Sequence, residues 1–186
     1  MINISTKRMI IRNFSPDDWC ELQEIFVDKE ASEYSFSDYP FPTGEREVKE
    51  ITNWFSQGNS FLAVYEKVKK KIIGYIAINS EKQSEYNLGY CLHSDYQDKG
   101  YATEACIAVV NYVFSNFNAE KFVTGTAVSN TPSCKLLTKL GFRKTGESVT
   151  SLRKDNEGKP IEFIGASYEL TRDTWNGTTY AESGNT

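Results

Sequence analysis

"HSDYQDKGYATEAC", residues 93–106, sets Gly100 between a charged turn, Gln97-Asp98-Lys99, and the start of a regular apolar pattern. Ala102, Ala105, Cys106, Val109, Val110, Val113, Phe114 and Phe117 recur at the three- and four-residue spacing of one helix face. That spacing predicts an amphipathic α-helix of about four turns. The glycine therefore stands where a helix begins. A helix beginning leaves its first N–H groups without partners inside the helix, at the positive end of its dipole. The backbone N–H groups of residues 99–103 would converge on one spot and suit an anion. Gly100 lets the backbone approach such an anion because it has no Cβ. A plain turn before a helix explains the glycine equally well on its own. Two familiar phosphate loops are excluded, since the chain contains neither G-x-x-x-x-G-K-[ST] nor G-x-G-x-x-G.

The chain has 186 residues, 39% of them hydrophobic and 13% aromatic. That is enough for one well-buried core and one domain. The formal net charge of −4 gives no basic footprint for nucleic acid or an anionic membrane. Cys20, Cys91, Cys106 and Cys134 form no C-x-x-C pair, and His93 is the single histidine, so no metal site is expected. The N-terminus lacks the apolar core of a signal peptide, and no apolar run nears about 18 residues. The expectation is a soluble, cytoplasmic protein, monomeric or homodimeric, with reduced thiols.

Along the chain, residues 8–14 read as a strand. Ser15-Pro16-Asp17-Asp18 follows as a helix start, with Ser15 as cap and Pro16 in the first helical position. Thr43 is the expected cap of a second helix with Val48, Ile51 and Phe55 inward. Residues 60–67, 71–79 and 85–93 read as three strands, the last from the alternation of Tyr86, Leu88, Tyr90 and Leu92. Residues 121–128 form a strand after the long helix. Thr131-Pro132 opens a further helix that Gly141 stops, and 161–170 is a last strand. The order is that of an α/β domain around a mixed sheet, over residues 1–175, with a polar tail at 176–186.

Gly89 and Gly125 lie inside strands on either side of the long helix. A strand glycine marks a bulge or the close approach of another backbone or ligand. Two strands splaying apart there would leave unpaired N–H and C=O groups, which an amide-rich ligand can fill by strand-like pairing. An anion at the helix start and an amide arm between the strands together describe the pantetheine pyrophosphate of coenzyme A.

"LGYCLHSDYQDKGYATEACIAVVNYVF" (88–114), followed by "NTPSCKLLTKLGFRKTGE" (130–147), resembles the GNAT superfamily of N-acetyltransferases, and most of all its ribosomal-protein N-terminal acetyltransferases. The likeness runs from about residue 8 to 172 in element order. The family's pyrophosphate motif, [QR]-x-x-G-x-[GA], corresponds to Gln97-Asp98-Lys99-Gly100-Tyr101-Ala102. The resemblance implies a single-domain GNAT-like fold: a mixed, mostly antiparallel sheet, splayed at its centre, with helices on both faces. It implies acetyl-CoA as cofactor and a primary amine, on a small molecule or a protein N-terminus, as acceptor. It further implies that the Leu92 backbone meets the pantetheine arm. Gln97, Asp98, Lys99, Gly100, Tyr101, Ala102 and Thr103 hold the pyrophosphate. Asn130 and Ser133 lie by the pantetheine and sulfur, and Lys135 or Lys139 reaches the outer phosphates.

The chain departs from the family pattern twice. Asn87 stands where many members carry a basic Glu, and strand alternation puts Glu85 on the same face, as a candidate base or as an exposed strand-end carboxylate. Leu137 stands where many carry an acidic Tyr, which leaves Ser133, one turn earlier, as the hydroxyl for the leaving sulfur. A backbone N–H near Leu92 or His93 is expected to hold the oxyanion. Tyr34, Phe36, Tyr39 and Phe41 line the acceptor pocket or pack in the core. The rival reading of the whole chain is a non-catalytic acyl-CoA-binding module of the same fold.

Overall fold

The computed structural model describes residues 1–82 and 84–176. Its sheet runs in the order β1 (Asn3–Ser5), β2 (Met9–Asn13), β3 (Phe61–Glu66), β4 (Lys71–Lys82), β5 (Glu85–Leu92), β6 (Lys121–Ala127), β8 (Pro160–Thr171), β7 (Arg143–Lys154). Every neighbouring pair is antiparallel except β5 with β6. Helices α1 (Trp19–Ala31) and α2 (Glu45–Ser56) separate β2 from β3. The long helix α3 (Tyr101–Asn116) joins β5 to β6, as a parallel pair requires. A short α4 (Thr131–Lys139) follows β6. The expected mixed, mostly antiparallel sheet is therefore the one observed. The polar tail expected from residue 176 lies, apart from Asn176, outside the described residues.

The two faces of the sheet carry separate cores. Leu88, Leu92, Val109, Val113 and Leu137 pack on the side of α3 and α4. Phe26, Phe55 and Tyr75 pack on the side of α1 and α2. The period-two alternation of β5 divides it between them: Leu88, Tyr90 and Leu92 face α3, while Cys91 faces α1. Ser15 is a cap as expected and makes a capping box with Asp18, but one turn of 3₁₀ helix, Pro16–Asp18, precedes α1. The second helix differs from expectation. Gly44, not Thr43, is its N-cap, and no side chain caps it. β1 and β7 were absent from the strand pattern because "NIS" is too short to alternate and "RKTGESVTSLRK" is mostly polar on both faces.

Gly74 fixes how closely β4 and β5 approach. A Cβ at this position would lie 2.2 Å from the Cys91 carbonyl oxygen and 2.9 Å from the Leu92 Cα. Both are backbone atoms, so no rotamer change relieves the clash. Gly74→Ala should therefore push β5 away and lower stability by about 1–3 kcal/mol, the usual cost of overpacking. Urea unfolding would show a lower midpoint at unchanged slope. An unmoved midpoint would mean that β5 shifts freely at Cys91.

Candidate functional site

The β5–β6 ladder is short. It pairs Glu85 with Lys121, Tyr86 with Phe122 and Asn87 with Val123, and among the described residues no register pair follows. Beyond it, the Thr124 hydroxyl donates to the Leu88 carbonyl at 2.7 Å. From there the strands part. The direction of the free groups follows from the other edge of β5. His93 donates its N–H to the Ile73 carbonyl at 2.9 Å, and Gly74 stands opposite Leu92. That makes Gly74–Leu92 a non-hydrogen-bonded pair of the antiparallel ladder. By alternation, so are Ile76–Tyr90 and Ile78–Leu88. The main-chain N–H and C=O of Tyr90 and Leu92 therefore point away from β4, into the opening. The His93 N–H is spent on Ile73, which removes it as an oxyanion donor and leaves the N–H of Leu92.

The loop after β5 closes one end of the opening. Residues Ser94–Tyr96 make one 3₁₀ turn. Asp98 (φ 54°) and Gly100 (φ 78°) both take the left-handed conformation, which costs a non-glycine residue energy and suits glycine. Gly100 is the N-cap of α3, and the first intrahelical bond runs from the Glu104 N–H to the Gly100 carbonyl at 3.1 Å. The N–H groups of Tyr101, Ala102 and Thr103 come before that bond, at the helix end where the dipole is positive. The Gln97 side-chain amide donates to the Leu92 carbonyl at 2.8 Å. This ties the loop to the strand wall and leaves the carbonyl's second lone pair. Lys99 does not extend outward: its Nζ donates to the Asp95 carbonyl at 2.5 Å.

Arg8 holds this loop from below, and nothing in the sequence pattern pointed to it. Its Nη1 donates to the Lys99 carbonyl at 2.8 Å, and its Nε pairs with Glu104 at 2.7 Å. Its backbone N–H donates to the other Glu104 oxygen at 3.0 Å, and its guanidinium stacks on the Tyr101 ring at 4.1 Å. A Cβ on Gly100 would stand 3.4 Å from Arg8 Nη2. One cation thus fixes both the loop carbonyl and the first turn of α3. The signal was invisible because Arg8 and Lys99 are 91 positions apart.

Across the opening, α4 begins. The Asn130 side chain accepts from the Ser133 N–H at 3.2 Å, so Asn130 is a helix cap. Ser133 Oγ lies 2.8 Å from the Tyr90 hydroxyl, which reaches over from β5. Leu137 is wholly buried in the core. A surface hollow of about 460 Å³ on the outer side of α4 takes in Lys135 and Lys139.

Glu85 is elsewhere. It sits at the closed end of the β5–β6 ladder, 2.8 Å from the Lys121 ammonium. The hydrogen bond from Lys121 holds its carboxyl below the usual range. A base toward an amine needs the reverse, so this geometry disfavours Glu85 in that role.

On the α1 side, the segment 32–44 is pinned from both ends of the chain. The buried Lys29 ammonium donates to the Tyr39 carbonyl at 2.8 Å and pairs with Asp38 at 3.1 Å. Arg153 of β7 grips Glu30 bidentately at 2.6 and 2.8 Å and donates to the Asp38 carbonyl at 2.7 Å. Three aromatics of this segment show that it divides. Phe41 stacks on Phe26 with centroids 4.5 Å apart and belongs to the core. Phe36 meets Phe163 of β8 edge-on, and Tyr39 is 63% exposed. No helix among the described residues is long and apolar enough to cross a membrane.

A family model described as an acetyltransferase (GNAT) domain matches residues 8–143. The uncharacterised N-acetyltransferase YnaD of Bacillus subtilis is 27% identical over 180 residues, which cover 94% of this chain and 100% of that protein. The ribosomal protein uS5-alanine N-acetyltransferase of Escherichia coli is 22% identical over 166 residues, covering 84% of this chain and 86% of its own. Among solved structures, the ribosomal L7/L12 α-N-protein acetyltransferase RimL, in complex with coenzyme A, superposes with a TM-score of 0.75 at 15% identity. That superposition covers 93% of this chain and 99% of RimL. At that identity the likeness to RimL is one of fold. With a family model reaching from Arg8 to Arg143, across the parted strands and both helices that flank them, this protein belongs to the GNAT acetyltransferase family.

Proposed function

We propose that this chain transfers an acetyl group from acetyl-CoA to a primary amine, on a protein N-terminus or a small molecule. The observation that carries the reading is the stop of the β5–β6 ladder after Asn87–Val123, with the main chain of Tyr90 and Leu92 turned into the opening. That opening fits an amide-bearing arm, and the Gly100 loop at its end fits a pyrophosphate. Gly100 is left-handed and lacks the Cβ that would intrude. RimL and the uS5 enzyme act on proteins, which supports a protein N-terminus as one acceptor class.

Acetyl-CoA, when bound, supplies a thioester whose carbonyl a neutral amine attacks, so that a C–N bond forms as the C–S bond breaks. The chain's own groups hold the two ends of that reaction. The N–H groups of Tyr101, Ala102 and Thr103 face the pyrophosphate, with Gln97, Asp98, Lys99 and Gly100 shaping the loop. The Leu92 carbonyl would accept from the amides of the pantetheine arm, and the Leu92 N–H would donate to the developing oxyanion. Asn130 orders the start of α4, and Ser133 stands by the sulfur. Much of the rate then comes from holding both reactants in register. The amine's proton passes to water in this scheme, since Glu85 is held by Lys121.

An acceptor screen that reads coenzyme A release, over amines and N-terminal peptides, tests the activity. Binding without release on any acceptor would make the chain a coenzyme-binding module. Coenzyme A itself should raise the melting temperature. At an excess of about 100 times the dissociation constant the gain is about 2.7 kcal/mol, and an unmoved curve would overturn the reading. Gly100→Val should abolish that shift while the folded spectrum survives, because Val resists a left-handed φ and fills the cradle. Retained binding would mean that the loop is only a turn. Glu85→Gln should change turnover less than about threefold at neutral pH, against the ~10²–10⁴-fold loss of a true general base. A loss of that size would return the base role to Glu85.

A further inference from the structure

Ser133 stands alone in the sequence as the hydroxyl for the sulfur, but a serine hydroxyl rotates freely and has no fixed donor direction. In the structure it has a partner. The Tyr90 hydroxyl lies 2.8 Å from Ser133 Oγ and 3.5 Å from the Ser133 carbonyl oxygen. Tyr90 belongs to β5, one wall of the opening, and Ser133 to the first turn of α4, on the other. The Tyr90 ring packs against the α3–α4 core, which fixes where its hydroxyl falls. Its main chain is also one of the two whose N–H and C=O face the opening. One turn further along α4, Leu137 is buried apolar surface, and the Thr138 hydroxyl donates to the Cys134 carbonyl at 2.9 Å.

We propose that the Tyr90 phenol donates to Ser133 Oγ and so turns the serine proton into the opening, at the leaving sulfur. The proposal rests on the acetyl-CoA reading above. Two hydroxyls share one hydrogen bond, and the direction of that bond decides the outcome. A phenol, with a pKa near ~10, is far more acidic than an alkyl hydroxyl and is the better donor. If it donates to Oγ, the serine proton is free for a second acceptor. The opposite arrangement would send the phenol proton to the Ser133 carbonyl, at 3.5 Å, the outer limit of a hydrogen bond. The shorter contact is therefore the one that orients the serine.

Tyr90 is a positioning residue and gives up no proton. Burial pushes its phenol well above the ordinary value, and the bond with Ser133 only partly offsets this. A thiolate whose conjugate thiol has a pKa near ~8.5 cannot draw a proton from such a phenol. The balance of the step is then simple. The C–S electron pair goes to sulfur, and the thiolate accepts a hydrogen bond from Ser133. The attacking amine loses its proton to water, and solvent completes the thiol.

Tyr90→Phe removes one oxygen and keeps the ring. With an acceptor from the screen, kcat should fall about tenfold while KM for acetyl-CoA stays within about twofold, the effect of one lost hydrogen bond. Ser133→Ala should fall at least as far, and the double variant no further than Ser133→Ala, because both remove the same bond. A second readout needs no turnover: the ultraviolet absorbance of the thiolate of bound coenzyme A, followed against pH. In Tyr90→Phe the apparent pKa of the bound thiol should rise by about one unit. An unchanged kcat with an unchanged thiol titration would overturn the proposal, as would losses that multiply in the double variant. So would weaker coenzyme binding at constant kcat, which would make Tyr90 a wall of the slot. If wild-type protein binds no coenzyme A, the acetyl-CoA reading fails and takes this proposal with it. If wild type binds and acetylates while Tyr90→Phe is silent in both readouts, the proposal alone fails.

Discussion

The parting of β5 from β6 is the constraint on which the rest of this structure depends. A buried main-chain N–H or C=O must find a partner, and a sheet normally supplies one by continuing its ladder. Here the ladder ends at Asn87–Val123. Each strand is fully paired on its other edge, so the unpaired groups belong to the facing edges alone. β6 pairs with β8 along its whole length, and β5 pairs with β4 from Lys82–Glu85 to Gly74–Leu92. Two side chains satisfy part of what is left: Thr124 reaches the Leu88 carbonyl, and Gln97 reaches that of Leu92. The groups that remain define a slot with fixed polarity. The proposed coenzyme completes an interrupted sheet.

Around that slot the fold spends its long-range ion pairs on geometry. Arg8 ties the start of β2 to the Lys99 carbonyl and to Glu104. It sets the left-handed turn at Gly100 without placing a side chain in it. On the opposite face, Arg153 carries the long β7–β8 hairpin back to α1 through a two-pronged bond to Glu30. That hydrogen bond holds the Glu30 carboxyl below its usual range despite the cost of burial. Arg suits this place because its planar fork matches a carboxylate. Lys29 and Arg153 together fasten the segment 32–44, so the wall facing α1 is assembled from residues far apart in the chain.

The departures from the family pattern read differently in three dimensions. Asn87 is the last residue of β5 in register with β6, opposite Val123. Leu137 faces the core, where a phenol would need a polar partner. The polar groups that meet on this side of the slot are Ser133 in the first turn of α4 and Tyr90 opposite it on β5. Cys91 and Tyr75 lie side by side on the α1 face, and burial pushes the Cys91 thiol up to about 12. A thiol so placed stays protonated and serves as a small packing group.

The sequence by itself determined the local elements and the loop. Helical spacing after Gly100, alternation through Tyr86–Leu92, and the helix-start signals at Ser15 and Thr131-Pro132 are properties of neighbours in the chain. They act over a few residues, so pattern alone reveals them. The same is true of Gly100, whose lack of a side chain marks the turn and permits the positive φ found there. The cap of α2 differs by one residue: Gly44 takes the position, and Thr43 gives its carbonyl to the Gln23 side chain. What only the tertiary structure decided is which distant groups meet. Arg8 beneath Lys99, Arg153 on Glu30, Lys121 on Glu85 and Tyr90 on Ser133 each join segments that periodicity cannot connect. Their chemistry depends on distances of a few ångströms, which are set by how two cores pack on the two faces of one sheet.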